Sequence, residues 1–258
     1  ARGWVHPPAT LRRGHRRASL SWRRPRRPPA LAAASPPQYL ILLPQLLQHF
    51  QSEHPTLTLT FSECEPGSQA EKLLSGELDV ALAVDRPEHP EIRALPWMRE
   101  EIVLAVPARY QINSELSEYA YDFNSFLKRN EPGCSKKPVP LIRFLNVPFL
   151  LLNERNDINQ RTKKICERAG FSPKVKLVLS QMMTAYYLVC EGQGITLLRD
   201  TIPEYVTPNE NVLFYQLDDP LAFRNIYLSF AQRTISPMHQ ALIDYLMERS
   251  EMPEETAE

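Results

Sequence analysis

From residue 39 onward, apolar and polar positions alternate in blocks with two distinct periods. Residues 39–54 place Leu43, Leu46, Leu47 and Phe50 three and four apart, the spacing of an amphipathic helix. Leu57, Leu59 and Phe61 alternate with Thr58, Thr60 and Ser62, as in a half-buried strand. Ser68 is placed to cap a short helix that stops at Gly76. Residues 78–84 are almost continuously apolar, which suits a strand covered on both faces. The same reading predicts strands over 101–106, 148–152, 175–179, 195–198, 212–217 and 225–231. It predicts helices over 114–128, from Asn156 or Asp157 to Gly170, over 181–191, and from Ser236-Pro237 to about Ser250. Strands alternating with helices imply an α/β fold with mainly parallel sheets.

Residues 1–37 follow neither period. Proline and arginine dominate (Arg23-Arg24-Pro25-Arg26-Arg27-Pro28-Pro29), and so little apolar surface cannot offset the entropy of ordering. The segment is expected to be disordered. Arginine without lysine, beside alanine and proline, is also what GC-rich DNA translated out of frame yields, an alternative to a basic arm.

Charge sharpens this division. The chain of 258 residues carries 30 basic and 30 acidic side chains, yet residues 1–34 hold nine arginines and no acid. The remainder therefore has 30 − 9 = 21 basic against 30 acidic groups, a net of −9. Such a body is not drawn to nucleic acid on its own. No apolar run reaches the ~18 residues of a membrane span. Cys64, Cys134, Cys166 and Cys190 are scattered, which argues for a reducing compartment, the cytoplasm, and against a disulfide framework or zinc ribbon.

Motifs for catalysis are missing. The sequence contains no G-x-S-x-G elbow and no P-loop, and its six histidines never fall at metal-ligand spacing. Glu100-Glu101 and Asp218-Asp219 point to opposite sides of an extended chain and read as solvated edges rather than catalytic dyads. Gly192-Gln193-Gly194 follows a helix and precedes a strand, the reverse of a dinucleotide-binding fingerprint, so it reads as a helix stop and turn. No metal or cofactor is expected, and no enzymatic activity.

What remains is a set of loops at strand ends. Ligands of open α/β sheets bind beyond the carboxyl ends of strands, where helix N-termini offer N–H groups. Four loops fit: residues 35–38, 65–68, 153–157 and 180–183.

Five phrases then carry a family likeness. Leu42-Leu43-Pro44-Gln45-Leu46-Leu47-Gln48-His49-Phe50 with His54-Pro55 resembles the start of the effector-binding domain of LysR-type transcriptional regulators. Gly76-Glu77-Leu78-Asp79-Val80-Ala81-Leu82 is similar to that family's most characteristic phrase. Glu101-Ile102-Val103-Leu104-Ala105-Val106-Pro107 resembles its next strand. Val189-Cys190-Glu191-Gly192-Gln193-Gly194-Ile195 resembles its V-x-x-G-x-G-I segment, and the Ser236-Pro237 helix its close. The resemblance implies an effector-binding domain over 38–258 with a two-lobed periplasmic-binding-protein-like fold. Lobe one would comprise 38–106 plus 220–258, and lobe two 107–219, with a cleft between them. It implies effector contacts at Ser35, Gly67, Ser68, Asn153, Ser180 and Gln181, a small anionic metabolite as ligand, and a homodimer. DNA would be bound only through a winged helix-turn-helix that has no counterpart here. A transporter's solute-binding protein shares the fold and is the alternative.

Overall fold

The computed structural model describes residues 30–34, 39–55, 59–63, 67–84, 86–232 and 236–250. Strand β1 (Ala30–Ala34) lies between β2 (Thr60–Glu63) and β3 (Val80–Ala83), parallel to both, with Ala32 opposite Ser62 and Ala81. This corrects the expectation that residues 1–37 are one disordered segment. Alanines are weak strand formers, and the arginines before them masked the run. Pairing on both edges supplies what propensity lacks.

The sheet continues through β9 (Phe223–Ala231), antiparallel to β3, and β4 (Ile92–Pro107), antiparallel to β9. Helices α1 (Tyr39–Glu53) and α7 (Pro237–Met247) pack together, with Phe50 edge-on to Tyr245 at 5.0 Å between ring centres. With Leu43, Trp97 and Leu228 they form a first core. Helix α2 (Gln69–Ser75) meets Ala81, Ala83 and Ile92 in a smaller cluster, and it ends as expected at Gly76, whose φ of 80° few other residues adopt. Ser68 stands at its N-cap position but makes no side-chain capping bond, because its φ and ψ of −84° and −8° are already helical.

Strand β4 is sixteen residues long. From Ile92 to Glu101 it pairs with β9; from Ile102 to Pro107 it pairs with β7 (Thr196–Arg199) and β8 (Val212–Tyr215). Only residues 101–106 were legible as strand. Pro96, which brings no N–H to the ladder, sits at a register shift before Met98, and mixed charges disguise the rest. Ile102 to Val106 pack in a second, larger core with Phe149, Tyr186, Leu198 and Phe214. The lobes implied by the resemblance divide at 106; the two cores divide between Glu101 and Ile102.

In the second lobe, β5 (Pro148–Leu152) runs parallel to β6 (Lys174–Leu179) and joins the segment before β7 through Phe149 and Ile195. The helix expected over 114–128 is two short ones, α3 (Ile112–Glu115) and α4 (Phe123–Leu127). Tyr121 between them bridges to Phe214, and extended Asp122 accepts a hydrogen bond from the Ser125 N–H, so the chain leaves helical geometry there. Helix α5 (Asp157–Arg168) is capped by Asn156, whose side chain accepts from the Ile158 N–H, and α6 (Met182–Cys190) follows β6. Its exit, Gly192-Gln193-Gly194, is the expected turn. A Cβ at Gly194 would stand 2.7 Å from the Pro148 carbonyl oxygen, so β5 and β7 approach only over a glycine.

Candidate functional site

Where β4 passes between the cores, opposite the start of β9, successive residues of β4 carry two carboxylates onto opposite faces. Both are buried, Glu100 to 1% exposure and Glu101 to 8%. The expectation of solvated edges is therefore wrong here: arginines from the second lobe and from β9 cover them. Glu100 lies 3.4 Å from Arg199 Nε and is also paired with Arg224. Arg224 reaches on to Asp157 at the start of α5, and Arg161, one turn along, meets the same Asp157 Oδ2 at 3.2 Å. Arg161 Nη1 also donates to the Leu221 carbonyl at 3.0 Å. Burial favours protonated Asp157, but Arg224, Arg199 and Arg161 outweigh it and hold its carboxyl below the usual range.

On the other face, Gln216 Nε2 donates to both Glu101 oxygens at 3.2 Å, and Arg129 Nε lies 3.8 Å away. Arg129 is ion-paired with Asp200, whose Oδ1 accepts from the Glu101 N–H at 3.2 Å. Two carboxylates thus share one buried guanidinium. Burial pushes the Asp200 carboxyl up to about 7; Glu100 and Glu101 reinforce the rise and Arg129 opposes it. Burial also raises Glu101, against Gln216 and Arg129.

A cavity of about 390 Å³ opens beside the first network, lined by Val84, Arg99, Arg161, Phe223, Arg224, Asn225 and Tyr227. Val84 follows β3 of the first lobe, Arg161 lies on α5 of the second, and the others stand on β4 and β9. The Arg99 guanidinium lies over the Phe223 ring, 4.3 Å from its centre. Three arginines, an asparagine and a tyrosine contribute to the lining, and among the described residues that line it there is no thiol, imidazole or carboxylate. It can hold and orient an anion.

The residues expected from the sequence lie elsewhere. Ser35 falls outside the described residues. Gly67 and Ser68 precede α2 in the first lobe. Asn153, Ser180 and Gln181 are brought together in the second, where the Asn153 N–H donates to the Leu179 carbonyl at 2.8 Å and Gln181 is the N-cap of α6. The side chain of Asn153 accepts from the Arg155 N–H at 3.1 Å. No described hydrogen bond or ion pair joins the two groups, and none of them lines the arginine cavity. Arg99, Arg161 and Arg224 escaped the sequence reading. The one available signal was Asp157 four residues before Arg161 at a helix start, a spacing that makes an ion pair.

Two mixed α/β lobes through both of which β4 runs, with a donor-rich cleft at the crossing, make a two-lobed periplasmic-binding-protein-like ligand-binding domain. A family model described as the LysR substrate binding domain matches residues 31–251, and the chain belongs to that family. It is 25% identical over 203 residues to the uncharacterized HTH-type transcriptional regulator YcgK of Bacillus subtilis (strain 168), covering 79% of this chain and 61% of that one. It is 27% identical over 194 residues to a probable hydrogen peroxide-inducible genes activator of Mycobacterium leprae, covering 73% and 54%. The chain thus spans little more than half of these relatives. Among solved structures, the regulatory domain of Synechocystis PCC6803 CcmR in complex with 2-PG superposes with a TM-score of 0.65 at 17% identity, covering 86% of this chain and 97% of that one. The effector binding domain of QuiR in complex with shikimate gives 0.61 at 18%, covering 86% and 95%.

Proposed function

We propose that this chain is the effector-sensing part of a LysR-type transcriptional regulator of the cytoplasm, without enzymatic activity. A small anionic metabolite enters the cleft between the lobes and changes their relative angle, which resets the DNA-binding part of the regulator. The observation that carries this reading is the arginine-lined cavity at the crossing of β4 and β9. A ligand there touches both lobes and the strands about which they turn, so its binding energy differs between lobe arrangements. Gly67, Ser68, Asn153, Ser180 and Gln181 contribute to the rim of the same cleft in this proposal. Domains of the same fold taken with 2-PG and with shikimate support a small-molecule ligand. The relatives' description as transcriptional regulators favours sensing over solute transport.

Because one relative is named for hydrogen peroxide, a thiol sensor is the second reading. Peroxide attacks thiolates. Burial pushes the Cys166 thiol up to about 12 and raises Cys190 as well, so neither of these two supplies one at neutral pH; Cys134 is exposed and is the described thiol on which this second reading stands. The donor-rich cleft favours reversible ligand binding.

A thermal-shift screen of carboxylates, phosphorylated metabolites, amino acids and sugars tests the proposal. A true effector at a hundred times its Kd adds about 2.7 kcal/mol by linkage, and Arg161→Gln should abolish most of that rise. Failure of every compound class, or stabilisation untouched by Arg161→Gln, overturns the cleft assignment.

The protein should also self-associate. Strand β6 is an edge with Val175, Leu177 and Val178 exposed to 48%, 39% and 61%, and Tyr187 of α6 is exposed beside it. An exposed apolar edge invites pairing. Light scattering of the wild type should give a dimer mass and Val178→Asp a smaller one. Equal masses would remove this surface from the interface.

A further inference from the structure

We propose that the second lobe carries a separate pocket for an apolar α-amino acid, linked to the arginine cavity through helix α5. A cavity of about 270 Å³ lies between the carboxyl half of α5, the short helical turn Leu141–Phe144 and residues 217–219. Leu141, Ile142, Ile165, Ala169 and Leu217 give it an apolar wall, and Ile142 is 40% exposed, so part of that wall faces water until a guest covers it. The volume stands at the small end of ligand pockets, which run from roughly 300 Å³ upward, and admits only a small molecule. None of its lining residues lines the arginine cavity.

The charged members of the lining decide the class of guest. They are Arg168, Asp218 and Asp219. Arg168 Nε donates to Asp219 Oδ2 at 2.8 Å, and Asp219 Oδ1 accepts from the Leu221 N–H at 2.8 Å. Among the described residues, no hydrogen bond or ion pair occupies the two Nη groups of Arg168 or the carboxylate of Asp218. Unused Nη groups make a fork for a carboxylate, and an unpaired carboxylate answers an ammonium. An apolar acid would satisfy Arg168 but set its charge against Asp218; an apolar amine would satisfy Asp218 but meet Arg168. A zwitterion with an apolar side chain answers both and covers the wall, which is the chemistry of leucine or phenylalanine.

The pocket and the arginine cavity lie along one face of α5. Arg161, Ile165 and Arg168 are four and three residues apart, the spacing of neighbours on a helix surface. Arg161 lines the arginine cavity, and the other two line the pocket. Both ends of this face are tied to one short segment, Arg168 to Asp219 and Arg161 Nη1 to the Leu221 carbonyl at 3.0 Å. Directly beyond that segment, Phe223, Arg224 and Asn225 of β9 line the arginine cavity. A guest held between Arg168 and Leu217 pins α5 to the segment and so steadies Arg161 at the cavity. The pocket itself does not depend on what fills that cavity.

The test is calorimetric titration of the whole chain with L-leucine and L-phenylalanine, and with two molecules that keep leucine's apolar end but lack one charge each, 4-methylpentanoate and 3-methylbutylamine. At least one amino acid should bind, and leucine, if it is the one, should bind tenfold or more tighter than either half-charged molecule. Arg168→Gln, an exposed position that leaves the core intact, should weaken the amino acid at least tenfold without weakening the amine. Asp218→Asn should weaken the amino acid and the amine but not the acid. No binding of either amino acid at millimolar concentration overturns the pocket, as does binding indifferent to Arg168→Gln. Binding lost with Arg161→Gln but kept with Arg168→Gln places the amino acid in the arginine cavity instead and overturns it too. Hydrogen exchange reads the link: the bound amino acid should slow the Ala222 N–H, which donates to the Asp219 carbonyl at 2.9 Å, at least threefold. Binding without that slowing overturns the link to the cavity and leaves the pocket.

Discussion

Replacing Glu100 with alanine should cost about 3–5 kcal/mol of stability, the usual penalty for removing one partner from a buried ion pair. Glu100 is wholly enclosed and serves Arg199 and Arg224 at once, both themselves buried. Without it, Asp157 remains as a partner for Arg224 but stands on the solvent side, and Arg199 loses the carboxylate 3.4 Å from its Nε. Two guanidiniums would stay out of water beside a cavity of carboxylate size. Urea unfolding should show a fall of this size at unchanged slope, and heating a fall in Tm of roughly 10 °C for a chain this long. A fall below about 1 kcal/mol, within the range of exposed pairs, would mean that the network rearranges and that Glu100 does not hold the crossing together.

The second large effect is one of pH. The Asp200 carboxyl sits at about 7 in the folded protein, against 3.8 for the free group. The folded state therefore holds this proton more tightly than the unfolded chain does. Stability from this group is complete below the unfolded value and is lost as pH rises towards and through 7. Raising pH from 5 to 7.5 should cost about 2–3 kcal/mol at ~1.4 kcal/mol per unit, or roughly 4–10 °C in Tm. Glu101, also raised, acts in the same direction. Asp157 and Asp122 are lowered and lose their contributions only at more acid pH, so they leave this window undisturbed. Asp200→Asn should flatten most of the slope, since the amide never ionises beside Glu101. An unaltered slope in the variant would place the titrating group elsewhere.

Much of this fold is legible in the sequence. Helix α1, strand β5 and the start of α7 announce themselves by period, by cap or by proline at the first turn. The parts that escape notice are those whose stability comes from distant partners. Strand β1 is five residues of little intrinsic preference, held by β2 and β3. The first ten residues of β4 contain Pro96 and four charged side chains, and only pairing with β9 makes them a strand. Tyr121 ends a helical pattern because Phe214, far along the chain, offers a bridge. The cleft suffered most. Serines and asparagines at strand ends advertise binding loops, but arginines within strands and helices look like ordinary surface charge until the topology lays Arg99, Arg161 and Arg224 around one cavity. Nor does any local pattern tell that Glu100 and Glu101 are enclosed.

The passage of β4 through both lobes also sets an order in which the molecule is completed during synthesis. The second core is built from one continuous stretch, Ile102 to Ala222. The first core places Leu43, Leu46 and Phe50 of α1 against Leu242, Ile243 and Leu246 of α7, and β3 against β9. Its amino-terminal half therefore has no finished surface to lie on until the last helix is made, while the second lobe can close about twenty-five residues sooner. The cleft, whose walls include both Val84 and Tyr227, comes into being only at that final docking.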